Sequence, residues 1–198
     1  MRREENIRSV EQTGADWMGF ICYDRSPRFI GTALTYLPER TKRVGVFVNA
    51  PLTYLCEMAK RLRLNYLQLH GTESPSLCLH LKNEGFHVIK AFSVKQMSDI
   101  IPTKEYESAC EYFLFDTSTP GYGGSGKQFD WNILAGYCGK TPFLLSGGIT
   151  PDSLEQLGRF THPRWAGIDL NSGFETAPAE KEAESLRTFI EKFKTLQP

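Results

Sequence analysis

Short apolar runs alternate with amphipathic stretches from one end of this chain to the other. The runs at 17–22, 44–49, 66–70, 87–92, 113–116, 143–146 and 167–170 are brief and rich in branched and aromatic residues, and they predict strands. Between them, Leu52, Leu55, Met58 and Leu62 recur three or four residues apart, as do Leu186, Phe189, Ile190, Phe193 and Leu196. That spacing predicts helix faces packed on a sheet. A further helical stretch, 4–13, opens the chain with Ile7 and Val10 on one side. Ser74-Pro75 and Thr150-Pro151 each place a hydroxyl before a proline, a start signal, and Gly85 supplies a stop before the run at 87.

Alternating strands and helices imply parallel strands joined by right-handed crossovers, either as an open doubly wound sheet or as a closed barrel. The polar residues decide between them. Cys22, Asn49, His70, Asp116, Ser146 and Asp169 each stand at the C-terminal end of a run. A barrel brings all such ends to one face, whereas an open sheet concentrates them at one switch point. The expected fold is therefore α/β, a (β/α)8 TIM barrel forming a single domain over 1–198. Only seven strands are visible, so the first strand of the eight is expected to be missing from this chain.

Charge narrows the partners. With 23 basic and 23 acidic residues the chain has no single-signed field to gather nucleic acid or an anionic membrane, and a small-molecule partner is expected. Five cysteines, odd in number and scattered singly, argue against a disulfide framework or a zinc knuckle and for a reducing cytoplasm. No apolar run approaches the roughly 20 residues that span a bilayer, and MRREENIRS has no hydrophobic region behind it. His80, His87 and His162 share no ligand spacing, so no metal is expected. Composition leaves monomer and homodimer equally open.

The richest chemistry lies in FLFDTSTPGYGGSGKQFDW, which delivers Asp116 from an apolar strand into a glycine-rich loop. Gly123, Gly124, Ser125 and Gly126 leave backbone amides open to an anion, although a loop that merely closes a core strand is the plainer alternative. Gly147 and Gly148 in one late loop, and Asn171, Ser172 and Gly173 in the next, follow the last two strands. Barrels commonly hold phosphate between those two loops. Arg28, just past the first visible strand, offers a planar fork for a carboxylate, against the alternative of a solvated arginine. Gln68 and His70 alternate along one strand and are expected at the barrel mouth, with a purely structural histidine equally open.

Taken in order, GADWMGFICYDRSPRFI, VGVFVN, LQLHG, FDTSTPGYGGSGKQFDW, LLSGGITP and DLNSGFE resemble the phosphoribosylanthranilate isomerases of tryptophan biosynthesis. The resemblance implies a cofactor-free Amadori rearrangement of N-(5-phosphoribosyl)anthranilate to 1-(2-carboxyphenylamino)-1-deoxyribulose 5-phosphate. It gives Asp116 the role of general acid, Arg28 that of holding the anthranilate carboxylate, and Asp169 a place near the substrate hydroxyls. It also assigns the two late loops to phosphate. Family members begin with a strand reading K-[IV]-C-G, whose cysteine is the general base; Met1-Arg2 here corresponds to the residues just after it. The expected explanation is a start codon placed too far downstream or a chain cut short at its N-terminus. Cys22, at a strand end, is the candidate substitute base, against the plainer role of a small buried hydrophobe. The alternative function is a binder of phosphoribosyl ligands that lacks the base. A histidine-pathway isomerase is disfavoured because Ala50-Pro-Leu-Thr-Tyr54 offers no second phosphate loop.

Overall fold

The computed structural model describes residues 1–31, 34–117 and 130–196. Seven parallel strands form one sheet in chain order: β1 (Trp17–Ile21), β2 (Lys42–Phe47), β3 (Tyr66–Leu69), β4 (His87–Val94), β5 (Tyr112–Thr117), β6 (Phe143–Leu145) and β7 (Trp165–Ile168). Each predicted run is a strand, displaced by at most two residues at an end. The sheet is a curled half-barrel. Trp17, Gly19 and Ile21 of β1 and Gly167 and Ile168 of β7 line the same cavity, although these two strands are not paired with each other.

Strand parity sorts the side chains into two layers. Val44, Tyr66, Ile89, Ala91, Leu114 and Leu144 point inward as one small cluster, with Trp17 and Tyr112 beside it. Met18, Phe20, Leu67, Leu69, Val88, Phe113, Phe115, Phe143 and Leu145 point outward into the larger core shared with the helices. The floor of the barrel is aromatic. Trp17 stacks on Tyr66 with ring centroids 4.4 Å apart, and Tyr112 meets Trp17 edge-on at 5.2 Å, all three at the N-terminal ends of their strands.

The helices are α1 (Glu4–Glu11), α2 (Leu52–Arg61), α3 (Pro75–Asn83), α4 (Leu154–Arg159) and α5 (Ala183–Leu196). Leu55 and Met58 of α2, and Leu186, Phe189, Ile190 and Phe193 of α5, are buried as their spacing predicts. Ser74 caps α3 by accepting from Leu77 N at 3.3 Å, and Gly85 ends it with a φ of +87°. At the second predicted start Thr150 and Ser153 form a reciprocal capping box, with Thr150 N donating to Ser153 Oγ at 3.0 Å, at the head of a short 3-10 turn. After β4 the crossover carries 3-10 turns, Met97–Asp99 and Ile101–Tyr106, in place of a full helix. Pro102 near the start of the second turn has no N–H for a continued α ladder. A small antiparallel hairpin, β8 (Glu175–Ala177) and β9 (Glu180–Lys181), precedes α5. No helix among the described residues is long and apolar enough to cross a membrane.

Candidate active site

The inward parity of the strands continues past the apolar layer and becomes polar at the C-terminal mouth. Tyr66 is followed on its face by Gln68 and then His70, Leu114 by Asp116, Leu144 by Ser146, and Gly167 by Asp169. All of these residues except Tyr66 line a cavity of about 490 Å³. Of the six polar strand ends singled out in the sequence, His70, Asp116, Ser146 and Asp169 meet there, and Cys22 and Asn49 do not.

Asp116 is held from two sides. Its Oδ1 accepts from Thr117 N at 2.8 Å, and its Oδ2 lies 3.2 Å from His70 Nε2. Gln68 Nε2 is 3.2 Å from His70 Nδ1. An amide nitrogen can only donate, so Nδ1 accepts and Nε2 carries the hydrogen that faces Asp116. The adjacent Gly147 has a φ of +84°, and a β-carbon there would lie 2.7 Å from Asp116 Oδ1 and collide with Thr117. Glycine at this position leaves the acid its room.

Asp169 stands across the mouth, where Ser146 Oγ donates to its Oδ2 at 3.1 Å. Burial, and then the charge of Asp116, push its carboxyl above the ordinary range, against the pull of Lys181, Ser146 and His70. Two carboxylates therefore share one partly dry opening.

The two late loops touch. A β-carbon on Gly173 would run into the carbonyl of Ile149, so the turn at Asn171–Gly173 packs backbone to backbone against the segment after Gly147 and Gly148. Gly147, Gly148, Asn171 and Ser172 all line the cavity. Their predicted proximity is thus visible as geometry. Gly123, Gly124, Ser125 and Gly126 lie outside the described residues.

Arg28 also lines the cavity, but not as a free fork. Its Nε donates to Glu175 Oε2 at 2.9 Å and its Nη2 pairs with the same oxygen at 2.7 Å. Cys22 is corrected more sharply. It falls on the outward face with Met18 and Phe20, is 4% exposed, and its Sγ donates to Phe20 O at 3.5 Å. Burial pushes the thiol up to about 12, so the residue sits as a small core hydrophobe and offers no thiolate to the cavity.

Two polar groups escaped the sequence reading. Glu175 and Lys181 form a buried pair at 2.9 Å beside Arg28. Glu175 belongs to the recognisable DLNSGFE run, yet Lys181 lies in the polar AEKEAE stretch, where no pattern separates it from surface charge. The second group is Lys90, 2% exposed in the apolar strand HVIKAFSV, a position that did carry a signal. Its Nζ donates to Leu69 O and Gly71 O and pairs with Glu73 Oε2 at 3.3 Å. Glu73 in turn accepts from Asn49 N and Gly71 N. This knot fixes the turn that follows His70.

Fold and site together define a parallel-barrel enzyme with a hydrogen-bonded acid at the strand C-termini and a close-packed pair of late loops beside it. A family model described as N-(5'phosphoribosyl)anthranilate (PRA) isomerase matches residues 1–192. The N-(5'-phosphoribosyl)anthranilate isomerase of Phocaeicola vulgatus is 55% identical over 194 residues, covering 98% of this chain and 95% of that protein. Among solved structures, the phosphoribosyl anthranilate isomerase of Thermotoga maritima superposes with a TM-score of 0.84 at 33% identity, covering 98% of this chain and 96% of that one. Another isomerase, solved in complex with reduced 1-(o-carboxyphenylamino)-1-deoxyribulose 5-phosphate, gives 0.79 at 29% identity, covering 98% and 100%. This chain belongs to the N-(5'-phosphoribosyl)anthranilate isomerase family of tryptophan biosynthesis and is an isomerase.

Proposed function

We propose that the cavity binds N-(5-phosphoribosyl)anthranilate and converts it to 1-(2-carboxyphenylamino)-1-deoxyribulose 5-phosphate, with Asp116 as the general acid. The observation that carries this reading is the placement of Asp116 at the cavity mouth, bonded to His70 and packed against Gly147, beside the two touching late loops. The phosphate belongs between Gly147, Gly148, Asn171, Ser172 and Gly173, whose two loops pack together at the cavity. The anthranilate carboxylate belongs at Arg28, and the sugar hydroxyls at Asp169.

In this pose Asp116 gives its proton to the furanose oxygen as the C1–O bond opens and the anilino nitrogen forms a C1=N bond. Transfer of the C2 proton to a base yields the enolamine. Protonation at C1 with loss of the C2 hydroxyl proton then gives the ketone, so that C2 is oxidised and C1 reduced within one molecule. His70, with its Nε2 hydrogen toward Asp116, orients the acid and steadies the carboxylate left after transfer. Asp116→Asn is expected to lower kcat by about 10²- to 10⁴-fold while product affinity stays within a few-fold. Unchanged turnover in that variant would remove Asp116 from the mechanism.

A second reading is a protein that binds phosphoribosyl ligands without turning them over, and one observation favours it. None of the five cysteines lines the cavity. Product binding by calorimetry together with zero turnover in the unmodified chain selects this reading, and measurable turnover dismisses it.

A further inference from the structure

The contact that occupies Arg28 has consequences at the other end of the cavity. The Glu175 side chain is 5% exposed, Arg28 12% and Lys181 9%. One carboxylate thus takes two buried cations. Arg28 reaches it from the loop after β1 through Nε and Nη2, which leaves Nη1 without a partner among the described residues, on a side chain that lines the cavity. Lys181 reaches it from β9 through Nζ, at 2.9 Å from Oε1. That same Nζ donates to Asn171 O at 2.8 Å and to Asn171 Oδ1 at 2.6 Å. Ala179 N adds a further donor to Glu175 Oε1 at 3.2 Å. The hairpin carrying Lys181 is itself pinned to α1, where Lys181 N donates to Asn6 Oδ1 at 2.9 Å and Asn6 Nδ2 to Lys181 O at 2.7 Å.

We propose that Glu175 is a positioning residue that sets Arg28 and, through Lys181, the Asn171–Ser172 turn at a fixed separation, so that ligand carboxylate and phosphate are recognised as one unit. The inference rests on the substrate reading above and names the device behind it. A fixed separation favours ligands whose two anionic groups are spaced to match, because neither cation has to be reordered when the ligand arrives. Arg28 suits this task better than lysine, since its planar fork can hold Glu175 with one edge and a ligand carboxylate with the other.

The experiment uses the full chain with three probes. These are reduced 1-(o-carboxyphenylamino)-1-deoxyribulose 5-phosphate, the same compound lacking the carboxyl group, and inorganic phosphate. Glu175→Gln keeps the shape of the side chain and adds one net positive charge to the cavity wall. An electrostatic role alone therefore predicts tighter binding of all three probes. Positioning predicts the opposite sign: the affinity ratio between the carboxylated and decarboxylated probes falls by about tenfold or more, and phosphate binding weakens. In steady state the loss appears as a raised KM with kcat changed far less.

Lys181→Met supplies an independent arm. It removes the tether to Asn171 and leaves the Arg28–Glu175 pair in place, so phosphate affinity is expected to fall while the carboxylate ratio holds. An unchanged or increased carboxylate ratio in a folded Glu175→Gln protein overturns the proposal, as does undiminished phosphate affinity in Lys181→Met. Should Glu175→Gln fail to fold, the Lys181→Met result decides. If the unmodified chain binds neither sugar phosphate, it is the substrate reading that fails; if it binds both and the variants match it, only the positioning role does.

Discussion

At the scale of single residues, the site is shaped as much by missing atoms as by present ones. Gly147 adopts a φ of +84° in contact with Asp116 and Thr117, so Gly147→Ala combines backbone strain with a collision at the acid. The expected outcome is a loss of about 1–3 kcal/mol in a denaturant melt and a drop in kcat larger than the loss of phosphate affinity. Asp169 makes the opposite kind of case. Its carboxyl is raised in the folded state by burial and by Asp116. A raised group contributes its stability below the ordinary aspartate pKa and loses it as pH climbs through the folded value, so the ionised form costs stability at neutral pH. Asp169→Asn is therefore expected to melt higher than the parent at neutral pH and to converge with it in acid. If Asp169 holds the sugar hydroxyls, ligand affinity falls in the same variant, which is the trade of stability against function common at working sites.

Among elements, the unexpected tie is that between the first helix and the late hairpin. Asn6 of α1 exchanges two hydrogen bonds with the backbone of Lys181, 175 residues further along the chain. Asn6→Ala is expected to cost about 1–3 kcal/mol in equilibrium unfolding and to weaken phosphate binding, because β9 carries the lysine that holds Asn171. The strands were legible because their apolar runs end in turn chemistry, and α2 and α5 because their buried faces repeat at helical spacing. The crossover after β4 offered no such spacing, and its apolar Met97 and Ile101 are exposed. Within the site, Gln68 and His70 could be read from alternation along one strand, and Asp116 and Asp169 from their places at strand ends. Cys22 could not, because parity turns on the register of β1: one residue decides between cavity and core. Glu175 and Lys181 stayed hidden because burial of a charge pair depends on what folds over it, and no local pattern reports that.

For the whole molecule, the buried carboxylates set the response to acid. Burial alone would raise Glu11, but hydrogen bonds from Arg40 N, Tyr36 OH and Glu39 N outweigh it and hold the group below its ordinary range. Glu175 behaves alike: burial is outweighed by Arg28 and Lys181. A lowered carboxyl contributes stability above its unfolded pKa and loses it as pH falls through the folded value. Both groups join distant parts of the chain, Glu11 linking α1 to the 36–40 segment and Glu175 linking the loop after β1 to the hairpin. Unfolding is therefore expected to become markedly easier below the normal glutamate range, with Glu11→Gln and Glu175→Gln each flattening that acid limb of a stability-against-pH curve.

The ring of Trp17, stacked on Tyr66, lines the same chamber whose rim holds Asp116. The protein thereby contains its own optical gauge: an indole whose surroundings lose water when a ligand fills the space above it. A blue shift in its emission would report occupancy without any label, and the depth to which a bound molecule reaches could be judged from how strongly that indole responds.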